Sequence, residues 1–413
     1  MLGLPGVPGP EGHKERSLVS LPALELGFMR RGAVGVSIVL LVLSCGGGSS
    51  ASGSPNPFAS PSAVPTATAS STPSASPSAG PLTGTYGLII SAGMLELVKP
   101  DATVAATIAM APSSVQFCSS AHDGALQPPA VSATADEVYF RDGDTKIREV
   151  VPPGSAADVT TVPGGPTTVS FFSVSPDDLR IAVLVEDLSA ATSIGLRLYV
   201  EDLRGGGHHS DIYTATTPKG QSGSTLWPMG WHQGNLVLAV APACTFEPAG
   251  LTPTEWHVAN ASNASRIATI RANNCTLSYW PSPAGVGCTD SNGVTTLFDW
   301  TAKVLSVTGP GATGSGYTQS SLSPAGNSIM FATGAGIGAP SPATGIVQLG
   351  PGPYATVPGH AACTWIDEDH LLAPDAVIQF PAETPGNLKV TATVAPLAAN
   401  TSGICAGRFP GGL

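Results

Sequence analysis

The sequence predicts an all-β fold, a β-propeller of seven blades with four antiparallel strands each, and three observations lead to this prediction. Short runs of alternating apolar and polar residues recur from about residue 85 to the C-terminus. Turn-forming residues precede one such run in every copy, and the copies are 40 to 56 residues apart. No helical periodicity lasts beyond two turns. Four-stranded propeller blades repeat at about 40 to 50 residues.

The clearest copy is Ser173–Gly207. Proline and aspartate favour a turn at Ser175–Asp178, because proline fixes φ and aspartate hydrogen-bonds its own backbone. The runs Leu179–Glu186 and Leu196–Glu201 alternate with a period of two, which indicates strands. Asp211–Thr214 can supply a fourth strand. A lone sheet with two apolar faces is unstable in water, so each copy must stack against its neighbours.

Weaker copies become visible when the chain is aligned on the turn. The residue that marks the apolar run after each turn is Leu88, Glu137, Leu179, Asn235, Gly287, Asn327 and His370. Seven such residues predict seven blades, and residues 83–413 form the predicted propeller domain.

The best copy resembles the repeat of a known group of propellers. Its Ser-Pro-Asp turn, its apolar strand and the segment Leu198–Leu203 before a glycine cluster are similar to the repeat of TolB-type and other WD40-like propellers. The resemblance covers roughly residues 85 to 410 and implies the architecture. It assigns no functional residues.

A signal peptide is predicted at residues 29–44. Met29–Arg31 is followed by the apolar run Gly32–Ser44, which has the length of a signal core and is short for a membrane span. We therefore predict that residues 1–28 are an over-extended start. A longer natural signal is the alternative.

Cys45 is predicted to carry a lipid. The segment Leu41–Cys45 resembles the bacterial lipobox, in which a small residue precedes the modified cysteine. Two acyl chains hold a protein stably on a membrane, so the predicted location is the extracytoplasmic face of the cell membrane. Residues 45–82 then form a disordered linker, rich in Ser, Pro, Ala and Thr. A free Cys45 in an ordinary secreted protein is the alternative.

The charge balance bears on the possible partners. The chain has 28 acidic against 17 basic residues and a net charge of −11. Nucleic-acid binding needs a basic surface, so this class of partner is disfavoured. We expect a monomer without a cofactor.

Six cysteines remain after Cys45, an even number that favours disulfides in an exported chain. We expect the pairs Cys244–Cys275 and Cys363–Cys405, which leaves Cys118 with Cys288. Fifteen pairings are formally open. No C-x-x-C spacing occurs, so a zinc knuckle is not expected.

The sequence yields no predicted catalytic or metal-binding residue. It lacks the G-x-S-x-G motif of serine hydrolases. His208–His209 is interpreted as part of an exposed loop, and Asp142–Asp144 and Asp290–Gly293 as hairpin turns in preference to calcium sites. His232, Asp369 and His370 occupy blade-turn positions and could converge at one end of the ring, which keeps an enzyme as an alternative.

Trp231, Trp280 and Trp365 recur just before the turn in three copies. Aromatic residues at a fixed repeat position favour packing between blades; the alternative is an aromatic rim at the central mouth, able to stack on sugars or peptides. The predicted function is that of a membrane-anchored, extracytoplasmic binding or scaffold module for a protein or glycan partner. An extracellular hydrolase, lyase or dehydrogenase acting at the mouth is the alternative, and a passive structural lipoprotein is a third.

Overall fold

A computed structural model describes residues 82–112, 114, 116–117, 125–126, 130–219, 223–243, 253–278, 280–308, 319–333, 341–349, 352–381, 389–398 and 403–413. The chain divides into two units, Met1–Pro73 and Ser74–Leu413, and every described residue belongs to the second. The predicted signal peptide, Cys45 and nearly all of the linker lie outside the described residues. Within the described ranges, no helix has the length and apolar character needed to cross a membrane.

Seven four-stranded antiparallel sheets form the seven predicted blades. The first three strands along the chain are β1 (Tyr86–Ser91), β2 (Met94–Val98) and β3 (Val104–Ala109), and they belong to blade 1. A two-stranded ribbon follows, with β4 (Gln116–Phe117) and β5 (Ala125–Leu126). Blade 2 contains β6 (Val131–Ala133), β7 (Val138–Asp142), β8 (Lys146–Val151) and β9 (Ser155–Thr161). Blade 3 contains β10 (Thr168–Val174), β11 (Arg180–Asp187), β12 (Ser193–Asp202) and β13 (Ser210–Pro218).

Blade 4 contains β14 (Ser224–His232), β15 (Asn235–Pro242), β16 (Glu255–Ala259) and β17 (Arg266–Arg271). Blade 5 contains β18 (Cys275–Leu277), β19 (Val286–Asp290), β20 (Thr295–Phe298) and β21 (Val304–Thr308). Blade 6 contains β22 (Gln319–Leu322), β23 (Ser328–Thr333), β24 (Ala343–Gln348) and β25 (Tyr354–Pro358). Blade 7 contains β26 (Thr364–Trp365), β27 (His370–Ala373), β28 (Ala376–Gln379) and β29 (Thr393–Pro396). The last strand, β30 (Ile404–Phe409), returns to blade 1.

The strand order within each blade confirms the predicted meander. All seven marker residues lie within two residues of the start of the second strand in their blade. Contacts between neighbouring blades are made mainly by the first strands, which therefore surround the centre of the ring. The fourth strands β3, β9, β13 and β17 are largely exposed and form the outer edge.

A hydroxyl group explains why the turn before the second strand recurs in the sequence. The Ser175 backbone N–H donates to the Arg180 carbonyl at 2.9 Å, and the Arg180 N–H donates back to the Ser175 hydroxyl oxygen at 2.9 Å. Thr134 in blade 2 and Ser323 in blade 6 make the same pair of contacts with the strand that follows. Each side chain closes its own turn, so the signal is local and recurs in these three blades.

The ring closes between the two ends of the propeller domain. Strand β30 pairs antiparallel with β1, from Tyr86 opposite Phe409 to Ile90 opposite Ile404. Blade 1 thus takes its innermost strand from the C-terminal end and its other three from the N-terminal end. The pairing gives β1 a partner on its inner side and completes blade 1 as a four-stranded sheet.

Two disulfides are present among the described residues, and they correct the predicted pairing. Cys363 bonds Cys405, as expected, and ties the residue before β26 to the closing strand β30. Cys275, however, bonds Cys288, with their Cα atoms 5.4 Å apart. The expected pairs Cys244–Cys275 and Cys118–Cys288 are therefore wrong. The physical reason is that Cys275 and Cys288 lie on the adjacent strands β18 and β19 of one blade. Cys118 and Cys244 lie outside the described residues.

Candidate functional site

A cavity opens at the end of the ring where the first strands run into the turns, and we call it the mouth. Its volume is about 100 Å³. It is lined by Val131–Thr134 of blade 2, Phe172–Val174 and Pro176 of blade 3, Pro228–Trp231 of blade 4, Trp280 and Pro281 of blade 5, Thr364 of blade 7, Ala406–Arg408 of blade 1, and Gly411–Leu413. Apolar side chains, prolines and main-chain polar groups dominate this lining.

The three repeated tryptophans divide between the two proposed roles. Trp231 and Trp365 are 1% and 2% exposed. Their indole N–H groups donate to carbonyls of the preceding blade, at 3.3 Å to Ser173 and at 3.0 Å to Ser321. These two side chains pack between blades, although Trp231 also reaches the mouth lining. Trp280 is half-buried and lines the mouth.

The segment after β30, Pro410–Leu413, crosses the mouth, and we call it the tail. The Gly411 N–H donates to the Thr134 carbonyl at 2.6 Å, and the Arg408 guanidinium donates to the Pro410 carbonyl at 2.8 Å. Leu413 packs against the apolar cluster shared by blades 3, 4 and 5. Sequence reasoning missed this segment, because Pro-Gly-Gly-Leu carries no periodic pattern and is typical of an ordinary loop.

Charge at the mouth comes from Arg408 and from the neighbouring turn of blade 7. Burial lowers the pKa of the Arg408 guanidinium, and the carboxylates of Glu368 and Asp367 oppose this effect. Glu368 is fixed by accepting hydrogen bonds from the Ser323 hydroxyl and the Ala325 N–H of blade 6. The cationic and anionic groups therefore lie close together on one side of the mouth.

The two histidines that kept an enzyme as an alternative, His232 and His370, lie in different surroundings. The His232 ring lies 6.3 Å from the Trp300 ring. Burial is the main cause that lowers its pKa, while Asp299 and a hydrogen bond with the Leu413 main chain raise it. His370 Nδ1 lies 2.8 Å from Asp367 Oδ1, and this hydrogen bond raises the pKa of His370. Each histidine thus interacts with acids of its own neighbourhood.

The remaining polar motifs act in turns and on the outer surface. Asp142 and Asp144 end the β7–β8 hairpin, and their carboxylates accept the backbone N–H groups of Ala111 and Ser114. Asp290 accepts two backbone N–H groups in the β19–β20 turn. His208 and His209 are exposed beside acidic residues of blade 3. No group of three or more His, Cys, Asp or Glu side chains suited to a metal ion occurs in the part of the chain that the structure describes.

The fold therefore defines the protein as a seven-bladed β-propeller. Neither a protein-family model nor a curated protein matches the sequence. Solved structures with a similar fold include an oligogalacturonate lyase in complex with manganese, with 9% identity over 66% of this chain and 77% of the other, and a TM-score of 0.39.

A protein from Lactobacillus plantarum is 13% identical over 78% of this chain and 97% of its own, with a TM-score of 0.42. Saccharomyces cerevisiae Sqt1 is 13% identical over 71% of this chain and 89% of its own, with a TM-score of 0.38. The assignment of the fold rests on the strand pairing described above, and no function is transferred from these proteins.

Proposed function

We propose that this protein is a monomeric, lipid-anchored binding module outside the cytoplasm, and that its mouth holds an extended segment of a partner protein. The observation that carries the proposal is the tail, a segment that already lies in the mouth through a main-chain hydrogen bond and an aliphatic side chain. The TolB-type resemblance of the blade 3 repeat remains a prediction from sequence.

The chemistry of the lining favours a protein partner over a glycan. Glycan sites rely on side-chain amides and carboxylates that bond sugar hydroxyls, together with a stacking ring. Among the described lining residues, Trp280 supplies the ring, but Pro176, Pro228, Met229 and Pro281 supply apolar surface instead of such polar groups. Apolar grooves with an aromatic ring are a common way to bind peptide segments.

The anchor is tested by membrane fractionation of cells that express the full chain. Cys45→Ala is expected to move most of the protein from the membrane fraction to the soluble one, because the thiol that takes the diacylglyceryl group is lost. Ser44→Ala keeps a small residue before Cys45 and is expected to fractionate as the wild type does. Unchanged fractionation of Cys45→Ala would refute the anchor.

Binding at the mouth is tested by selecting a random hexapeptide phage library on the full-length protein. Enriched peptides are expected to lose about tenfold in affinity on Trp280→Ala, because tryptophan rings that line a binding site often contribute strongly to binding. Affinity is measured by fluorescence anisotropy with synthetic labelled peptides.

Leu305→Ala is the matched control, because Leu305 belongs to the same blade but is 52% exposed on its fourth strand. It is expected to leave peptide affinity unchanged. The proposal would be contradicted if the selected peptides bind Trp280→Ala as tightly as the wild type, or if the library yields no peptide that binds above background. If no peptide is selected, but the protein binds members of a panel of oligosaccharides and Trp280→Ala abolishes that binding, the mouth is a glycan site.

A further inference from the structure

The tail follows a defined path between blades on opposite sides of the mouth. It leaves β30 in blade 1, meets blade 2 through the Gly411–Thr134 hydrogen bond of 2.6 Å, and reaches blade 4, where Leu413 lies against Gly230. Its start is fixed by the Arg408 side chain, which donates to the Pro410 carbonyl at 2.8 Å. This four-residue segment thus spans the cavity that we propose as the binding site.

Two glycines lie where the tail comes close to the blades, Gly411 in the tail and Gly230 in blade 4. A Cβ atom at Gly411 would lie 2.5 Å from the Ala133 Cβ and 2.5 Å from the Ala133 carbonyl oxygen. A Cβ atom at Gly230 would lie 2.4 Å from the Leu413 Cδ1. Both distances are far inside van der Waals contact. Glycine is required at Gly411, where the near atoms are the Cβ and main chain of Ala133, whereas a side chain at Gly230 would force Leu413 to move.

The contacts that hold the tail are few. Pro410 is exposed, and Gly411, Gly412 and Leu413 are only half-buried. Gly412 has a φ of +90°, a conformation that glycine adopts without strain and that lets the segment change direction. The Gly411–Thr134 and Arg408–Pro410 hydrogen bonds, a hydrogen bond between the Leu413 main chain and the His232 ring, and the Leu413 side chain hold a segment that is tethered through β30. Segments held by a small number of surface contacts open at a lower free-energy cost than the core strands do.

We propose that the tail is an intramolecular ligand of the mouth, and that the partner segment displacing it carries a glycine-sized residue at the Thr134 contact and an aliphatic side chain at Gly230. This inference rests on the proposed function and adds the recognition pattern and its regulation. A tethered competitor acts at a high local concentration, so the tail lowers the apparent affinity for any partner segment that uses the same place.

The test uses a fluorescein-labelled hexapeptide with the sequence of residues 408–413, titrated by fluorescence anisotropy. The chain lacking residues 411–413 is expected to bind this probe roughly tenfold or more tightly than the full chain does, because the competitor is gone. Gly411→Val in the full chain is expected to act in the same direction, because the added side chain cannot fit against Ala133. This second variant covers the case in which the shortened chain is unstable.

Gly195→Val is the matched control for the valine substitution. A Cβ atom there meets only the Asp187 Cβ, at 3.5 Å, on the third strand of blade 3. It is expected to leave the wild-type affinity unchanged. Gly230→Val, introduced into the shortened chain, is expected to abolish binding because it fills the place of Leu413. Equal affinity for the full and shortened chains, no binding to either tail variant, or binding that survives Gly230→Val would each overturn the inference.

Failure of this inference is distinguishable from failure of the proposed function. One outcome is that library peptides depend on Trp280 while the full and shortened chains bind the probe equally. The mouth would then bind peptides, and the tail would not regulate that binding. The other outcome is that only the shortened chain binds the probe tightly while no library peptide depends on Trp280. The tail would then be a true ligand of the mouth, but the proposed role of the mouth in partner recognition would be wrong.

Discussion

Replacing Cys363 and Cys405 together by serine is expected to lower the free energy of unfolding by about 4 kcal/mol, because this disulfide restricts a long loop of the unfolded chain. The two cysteines are 42 residues apart in sequence, and the bond joins the first strand region of blade 7 to the closing strand of blade 1. Chemical denaturation followed by tryptophan fluorescence measures the change. Hydrogen exchange is expected to rise along β1 and β30, where the ring closes.

The other described disulfide provides the matched control. Cys275 and Cys288 are 13 residues apart and lie within blade 5. Replacing both by serine is expected to cost about 3 kcal/mol. Its effect on exchange is expected to stay in β18 and β19, away from the closure. Wild-type protection of β1 and β30 in the Cys363/Cys405 variant would show that the bond does not support ring closure.

Glu186→Gln is expected to stabilise the protein at neutral and alkaline pH. Glu186 is 0% exposed between blades 3 and 4, and burial raises the pKa of its carboxyl to about 7, against opposing contributions from the Thr225 hydroxyl and the Trp227 indole. Its second oxygen has no hydrogen-bond partner within the described residues. A buried carboxylate with an unpaired oxygen is costly, and the neutral amide removes the charge.

The sign of the pH dependence follows from the raised pKa. Below a pH of about 4.5 the carboxyl is protonated in both the folded and unfolded states, and its charge costs nothing. As the pH rises to about 7 the unfolded state loses the proton first, so stability falls, and the full loss of roughly 3 kcal/mol is reached above that pH. Glu186→Gln should therefore gain about that much over the wild type at pH 8 and almost nothing at pH 4.

The measurement is the free energy of unfolding by denaturant at pH 4, 6 and 8. Asp187→Asn is the control, because the neighbouring Asp187 is exposed and hydrogen bonds from Ser189 lower its pKa. It should show no gain at pH 8. A Glu186→Gln gain that is independent of pH would mean that the carboxyl does not titrate in the folded state as described.

The blades were predictable from the sequence because their signal is local. The hydroxyl of Ser175 and the strand that follows it lie within a few residues of each other, and the same chemistry recurs in the other copies. The alternation in Leu179–Glu186 correctly predicted a strand. The two apolar faces also correctly predicted stacking against neighbouring blades, but nothing in the pattern predicted that the charged Glu186 would be fully buried there.

Features that join distant parts of the chain were not predictable. The pairing of β30 with β1 links the two ends of the domain, and neither strand has a sequence pattern that identifies the other as its partner. Cys275 was assigned to the wrong partner because β18 is only three residues long and shows no alternation, so its place beside Cys288 was hidden. The tail contact depends on where blades 2 and 4 place Ala133 and Gly230, which only the assembled ring determines.

The central claim is that the ring closes through β30, because this strand delivers the tail to the mouth. Peptide mapping of the non-reduced protein by mass spectrometry tests the closure most directly. The account predicts one cross-linked peptide pair joining Cys363 to Cys405 and another joining Cys275 to Cys288. Cross-links that pair Cys405 with any cysteine other than Cys363 would place β30 elsewhere and contradict the closure.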